Sequence, residues 1–170
     1  MILVIMGVVG SGKTTIGTLL AQKLGWEFAD ADDFHPAANI RKISQGIALT
    51  DTDRAPWLAA MRNAIQQWQK EGKSVVLACS ALKHSYREEL RAGDVRFVYL
   101  RGDARLIAQR LHGRRGHFAT DSILESQFAD LEEPHDALAV SIAQSPDAIA
   151  NEIIDKLKLA RVSYPDAARK

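Results

Sequence analysis

Only one cysteine, Cys79, occurs in the 170 residues, so no internal disulfide can form and the thiol reads as a small buried apolar residue of a reducing compartment. Charge of one sign is not in surplus either. A formal net charge of +1 argues against a general nucleic-acid or anionic-membrane partner, because those draw on a basic excess. No apolar run approaches the length of a membrane span, and no repeat, low-complexity segment or linker interrupts the chain. The apolar start lacks a basic leading region and runs straight into a glycine-rich turn, so no secretion signal is expected and a cytoplasmic location follows. What is present, 46% hydrophobic and 25% charged residues, is the balance of a soluble globular protein, and the length suits one domain, 1–170, with a substantial core.

The chain is organised around Gly7, Val8, Val9, Gly10, Ser11, Gly12, Lys13, Thr14 and Thr15, which follow the apolar run Met1 to Met6 and open a helical pattern. This is the phosphate-loop pattern GxxxxGK[S/T] in its strand-loop-helix context. Glycines admit backbone conformations closed to other residues, so successive N–H groups can converge on phosphate oxygens at the positive end of a helix. Lys13 would reach the β- and γ-phosphates of ATP, and Thr14 would take Mg2+.

Taken in order, Met1 to Met6 is a strand buried on both faces, and Ile16, Leu19, Leu20 and Leu24 mark a helix stopped by Gly25. Trp26 to Ala29 is a second strand ending in Asp30, Asp32 and Asp33, acids that belong at the carboxyl edge of a parallel sheet, where ligands bind. A polar stretch follows, part helix and part loop, then a helix with Asp53 as cap, Pro56 in its first turn and Trp57, Leu58, Met61, Ile65 and Trp68 along one face, Trp57 among its core residues. Further strands are expected at Ser74 to Cys79, Val95 to Leu100 and Ala137 to Ile142, alternating with helices to about Ala92, from Ala104 to Leu111, from Thr120 to Leu131 and from Pro146. Five strands alternating with helices predict an α/β architecture: a three-layer α/β/α P-loop kinase fold with a five-stranded parallel sheet and a mobile lid.

The lid, about residues 110–122, carries Arg110, Arg114, Arg115 and His117 with Gly113 and Gly116 between them. Such a run is either a solvated face or a flap that closes arginines over the triphosphate. Arg115 is the catalytic candidate, with Arg110 and Arg114 as nucleotide contacts. A kinase must also orient an acceptor hydroxyl and take its proton, work that suits an aspartate at the end of the second strand, with Asp30, Asp32 and Asp33 all available.

The stretch from Asp30 to Lys42, the stretch from Gly46 to Leu58, Ala78 to Lys83 with Tyr86 and Arg87, Gly116 to Phe118, and Ser126 to Pro134 closely resemble the gluconokinase family, whose fold resembles those of shikimate and adenylate kinases. The resemblance spans residues 2 to about 160. It implies ATP-dependent phosphorylation of D-gluconate at its terminal hydroxyl and a homodimer. It assigns Asp32 as base or hydroxyl-orienting residue, Asp30 beside Mg2+ with Thr14, and a substrate element at about residues 33–58. It sets His35, Asn39, Lys42, Arg54, Lys83 and Arg87 around the sugar acid, Arg54 foremost for its carboxylate, and leaves contact by His117 open. The segment Gln144 to Pro146 is the expected adenine pocket. Ile43, Ala48 and Ala119 depart from the usual family residues without removing a proposed catalytic group. A kinase for another sugar acid or polyol, and a nucleotide sensor that has lost transfer, are the alternatives.

Overall fold

The computed structural model describes residues 1–112 and 118–161, the side chains of residues 112 and 118–122 excepted. Strand β1 (Ile2–Met6) leads through the glycine loop into α1 (Lys13–Leu24), which Gly25 ends at φ 66 with its N–H bonded to the Ala21 carbonyl. Next come β2 (Glu27–Asp30), a 3-10 turn at Ala31–Phe34, α2 (Ala37–Ser44), α3 (Asp51–Lys70), β3 (Val75–Ala78) and α4 (His84–Leu90). The chain continues with β4 (Val95–Arg101), α5 (Ala104–His112), α6 (Phe118–Asp130), β5 (Leu138–Ser141) and α7 (Pro146–Leu157).

All strand pairings are parallel, in the order β2-β3-β1-β4-β5. Because side chains alternate along a strand, β1 feeds two cores. Leu3 and Ile5 pack with Ile16 and Leu20 of α1 and Ile149 and Ile153 of α7. Ile2, Val4 and Met6 pack with Met61 and Ile65 of α3 and Leu90 of α4. Helices therefore cover both faces, and the expected three-layer fold with five parallel strands is what the chain adopts. With β1 central, the carboxyl ends of β1, β2 and β3 stand side by side, the position at which open α/β sheets hold their ligands.

Two local expectations are corrected. Helix α3 begins at Asp51, not after Asp53: the Thr50 hydroxyl accepts from the Asp53 N–H at 3.2 Å, and the Asp53 carboxylate accepts from the Thr50 N–H at 3.0 Å, a reciprocal capping box. Pro56 accordingly lies inside the helix, where its missing N–H leaves the Thr52 carbonyl without a helical donor. Asp30 belongs to β2 itself, in register with Ala78, so the sheet holds its backbone while its carboxylate caps the turn that follows.

Candidate active site

Gly10 at φ 79 and Gly12 at φ 98 shape the turn between β1 and α1, and a Cβ on Gly10 would lie 2.8 Å from the Leu111 side chain. The loop is tied across the sheet by the Gly7 N–H, which donates to the Ser80 carbonyl at 3.4 Å. Lys13 is half-buried and turns back to donate to the Val8 carbonyl at 3.1 Å. Desolvation lowers its pKa, opposed by Cys79, Asp32 and Asp30. A cleft of about 360 Å³ opens over the loop, lined by Gly12, Lys13, Thr14, Asp30, Asp32 and Gln127 among others.

The acids in this cleft are placed differently. Thr14 donates its hydroxyl to the Asp30 carboxylate at 3.0 Å, and the other Asp30 oxygen accepts from the Asp32 N–H at 3.1 Å. The Thr14–Asp30 pair is a set of hard oxygen donors suited to a divalent cation. No group of three or more His, Cys, Asp or Glu residues that could cage a metal occurs among the described residues. Asp32 also lines the cleft, whereas Asp33 does not. Cys79 forms part of the floor, its thiol fully buried and pushed up to about 12 by desolvation, so it is an inert apolar filler.

Beside the cleft, His35 stacks on Trp57 with ring centroids 4.7 Å apart and planes 9° from parallel. Trp57 is core, as expected, but it also serves as a platform, held by an indole N–H bond to the Ala31 carbonyl at 2.7 Å. Asn39 is buried and donates through Nδ2 to the Asp53 carbonyl at 2.8 Å and towards His35 Nδ1 at 3.4 Å. An accepting Nδ1 assigns the proton of the neutral ring to Nε2, leaving that N–H as the donor. Burial lowers the His35 pKa, with Asp32 pulling it up and Arg54 pulling it down.

A cationic group stands at the start of α3. Lys83 donates to both Asp51 oxygens at 2.8 and 3.0 Å, Arg54 lies 3.6 Å from the same carboxylate, and Tyr86 donates its hydroxyl to it as well. Arg54 also donates to the Tyr86 oxygen at 3.2 Å. Lys83 and Arg54 therefore converge although they are far apart in the chain.

Three expected substrate contacts are engaged elsewhere. Lys42 is bonded to both oxygens of Asp53 at 2.7 and 2.8 Å and, like Asn39, clamps α2 to α3. Arg87 is 2% exposed and donates inward to the Ala81 and Leu82 carbonyls at 3.1 and 2.8 Å. It holds a loop in which Ala81 takes φ 43, a left-handed conformation costly for a residue with a Cβ. Arg110 donates to the Ile142 carbonyl at 2.6 Å and, with Gly12, Thr15, Gln144 and Pro146, lines a second cleft on the α1 side of the loop. Arg114, Arg115 and His117 lie outside the described residues.

Gln127 of α6 has a role that residue patterning did not assign. Its side-chain oxygen accepts from the Val9 N–H at 2.6 Å, directly over the phosphate loop. The only sequence signal was its place in the Ser126 to Pro134 stretch.

The profile of the family described as shikimate kinase matches residues 9–158. A gluconokinase from Gluconobacter oxydans is 48% identical over 157 residues, covering 89% of this chain and 88% of the relative. Among solved structures, a gluconokinase from Sinorhizobium meliloti is 42% identical with a TM-score of 0.82, covering 92% of this chain and 90% of that one. A sugar kinase from Janibacter is 41% identical with a TM-score of 0.86, covering 94% and 95%. With its phosphate loop, parallel sheet and near full-length similarity, the chain belongs to the shikimate kinase family of P-loop kinases, on the branch of its gluconokinase relatives.

Proposed function

We propose that the protein is a gluconokinase, transferring the γ-phosphoryl group of ATP to the terminal hydroxyl of D-gluconate to give 6-phospho-D-gluconate. The observation that supports this reading is a cleft that joins the phosphate loop to the acids Asp30 and Asp32, next to His35, which feels the charges of both Asp32 and Arg54, the latter one of a basic pair with Lys83 suited to a carboxylate. A nucleotide sensor needs the first of these and has no use for the last.

In this reading the N–H groups of Gly10 to Thr15 hold the phosphates, and the second cleft between Arg110, Gln144 and Pro146 takes the nucleoside end. Thr14 and Asp30 are the residues that would hold Mg2+, which when bound would supply positive charge to the phosphate oxygens. Asp32 orients the terminal hydroxyl and accepts its proton as the oxygen bonds to the γ-phosphorus and the bond to the ADP oxygen breaks. Lys13 leaves the Val8 carbonyl and stabilises charge on the transferring group. The His35 Nε2–H is placed to donate to a substrate hydroxyl, and Arg54 and Lys83 receive the carboxylate. Residues 33–58 form the acceptor element, and Arg114, Arg115 and His117, of the expected lid at about residues 110–122, are proposed as phosphate and substrate contacts. A homodimer, on the strength of the family resemblance alone, and a cytoplasmic location, as expected from the sequence, complete the proposal.

The test is a coupled ADP-release assay with ATP, Mg2+ and a panel of sugar acids, polyols, shikimate and nucleoside monophosphates. Gluconate is expected to give the highest kcat/KM. Turnover of shikimate or a nucleoside monophosphate with none on gluconate would overturn the proposal, and nucleotide binding without turnover of any acceptor would favour the sensor.

A further inference from the structure

The basic pair proposed to receive the substrate carboxylate already holds one, from the protein itself. Asp51, the first residue of α3, accepts from Lys83 at 2.8 and 3.0 Å and from the Tyr86 hydroxyl, with Arg54 3.6 Å away. The cations sit against a common wall, Arg54 at 5.8 Å and Lys83 at 5.6 Å from the centre of the Tyr86 ring. The three donors are unequally exposed compared with their acceptor: Tyr86 is 8% exposed, the Arg54 and Lys83 side chains 25% and 24%, and the Asp51 side chain 65%. The donors thus form a half-buried cradle, while the acid closing it lies outermost and can rotate into water without disturbing the packing beneath.

Asp51 differs in this from Asp53, two residues on. Asp53 is only 19% exposed, is fixed by the capping box and Lys42, and its carboxyl is pulled down to about 2 by the Lys42 ammonium and the Thr50 donors. The helix cap does not require Asp51, because Thr50 and Asp53 already complete it.

We propose that Asp51 is an exchangeable internal counter-ion, a carboxylate that occupies the substrate's carboxylate cradle until a sugar acid displaces it. The inference rests on the proposed function in placing the sugar acid at Arg54 and Lys83. Asp51 then acts on specificity. A neutral polyol cannot replace the Asp51 carboxylate on two cations, whereas an aldonic acid exchanges one carboxylate for another and adds its hydroxyl contacts. The internal acid also sets affinity, since the substrate binds in competition with it.

The test uses the full-length protein and three forms: the wild type, Asp51→Asn and Asp51→Glu. Removing the charge while keeping the shape is expected to lower the gluconate KM by about two- to fivefold, the range of a partly exposed ion pair, with the change in KM and not in kcat. Inhibition by simple monocarboxylates such as acetate should strengthen in parallel, and Asp51→Glu should stay near the wild type. Ligand-free Asp51→Asn is expected to melt earlier than the wild type and to gain more from added gluconate. A purely structural Asp51 would lower the melting temperature without lowering KM, and an Asp51 that bound a substrate hydroxyl would raise KM; either result overturns the inference. Absence of gluconate turnover in the wild type would instead overturn the functional reading beneath it.

Discussion

Lys13 and Asp32 face the same cleft but are set up for opposite tasks. Lys13 is a desolvated cation parked on a backbone carbonyl, ready to be drawn to a phosphate, whereas Asp32 lines the cleft two residues beyond an acid pinned by Thr14. Lys13→Ala and Asp32→Asn are each expected to lower kcat by about 10² or more, through loss of charge stabilisation and of the proton acceptor respectively. Near-normal turnover of Asp32→Asn would move the base to Asp30 or Asp33. Gln127 permits a sharper contrast. Its neutral oxygen rests on the Val9 N–H of the phosphate loop, so Gln127→Glu would put a negative charge beside the phosphates. The ATP KM should therefore rise more for Gln127→Glu than for Gln127→Ala, by about tenfold, and titration of initial rates against ATP checks the order.

At the scale of elements, the loop between β3 and α4 is held by one buried side chain. Arg87 satisfies the carbonyls of Ala81 and Leu82 while Ala81 stays in a left-handed conformation, and Lys83 follows immediately. Arg87→Leu would leave those carbonyls unpaired in a dry setting and is expected to cost about 2–4 kcal/mol in urea unfolding, with a raised gluconate KM as Lys83 loses its position. Arg87→Lys should restore little, because a single ammonium does not reproduce the guanidinium fork. This element also shows where sequence was sufficient and where it failed. β1, the glycine loop and α1 were legible to within a residue, because an unbroken apolar run, a glycine spacing and a Gly25 stop are all local signals. The inward bonds of Arg87 were not legible, because nothing local distinguishes an arginine folded under its own loop from one turned towards a ligand. The start of α3 was misplaced because Asp53 does cap the helix, but from inside, with Thr50 outside it. Asp51 went unnoticed because its partners Lys83 and Tyr86 lie 32 and 35 residues away, and only the packing of α4 on α3 brings them to it.

For the whole molecule, the titrating groups predict a plateau of stability bounded on both sides. On the acid side, His35 has its pKa lowered below the ordinary 6.5 by burial, so its contribution is fully present above that value and is lost as the pH falls through the folded one. Asp53 has the sign of a depressed acid: its contribution is present above 3.8 and is lost as the pH falls towards about 2. On the alkaline side, Cys79 is raised from 9.0 to about 12, so the folded chain keeps a proton that the unfolded chain releases, and stability declines as the pH climbs through that window. The unfolding midpoint in urea should therefore be nearly flat from about 6.5 to 9 and fall on either side. Cys79→Ala separates the causes. It removes the buried thiol at the cleft floor, so the alkaline limb should begin at a higher pH than in the wild type while the acid limb, set by His35 and the carboxylates, keeps its position. A series of urea midpoints from pH 5 to 11 measures both limbs, and an unchanged alkaline limb in Cys79→Ala would assign it instead to the other raised groups, the Tyr86 and Tyr99 hydroxyls, lifted above the ordinary 10.0 by burial, and the Lys73 and Lys83 ammoniums, lifted by their carboxylate partners.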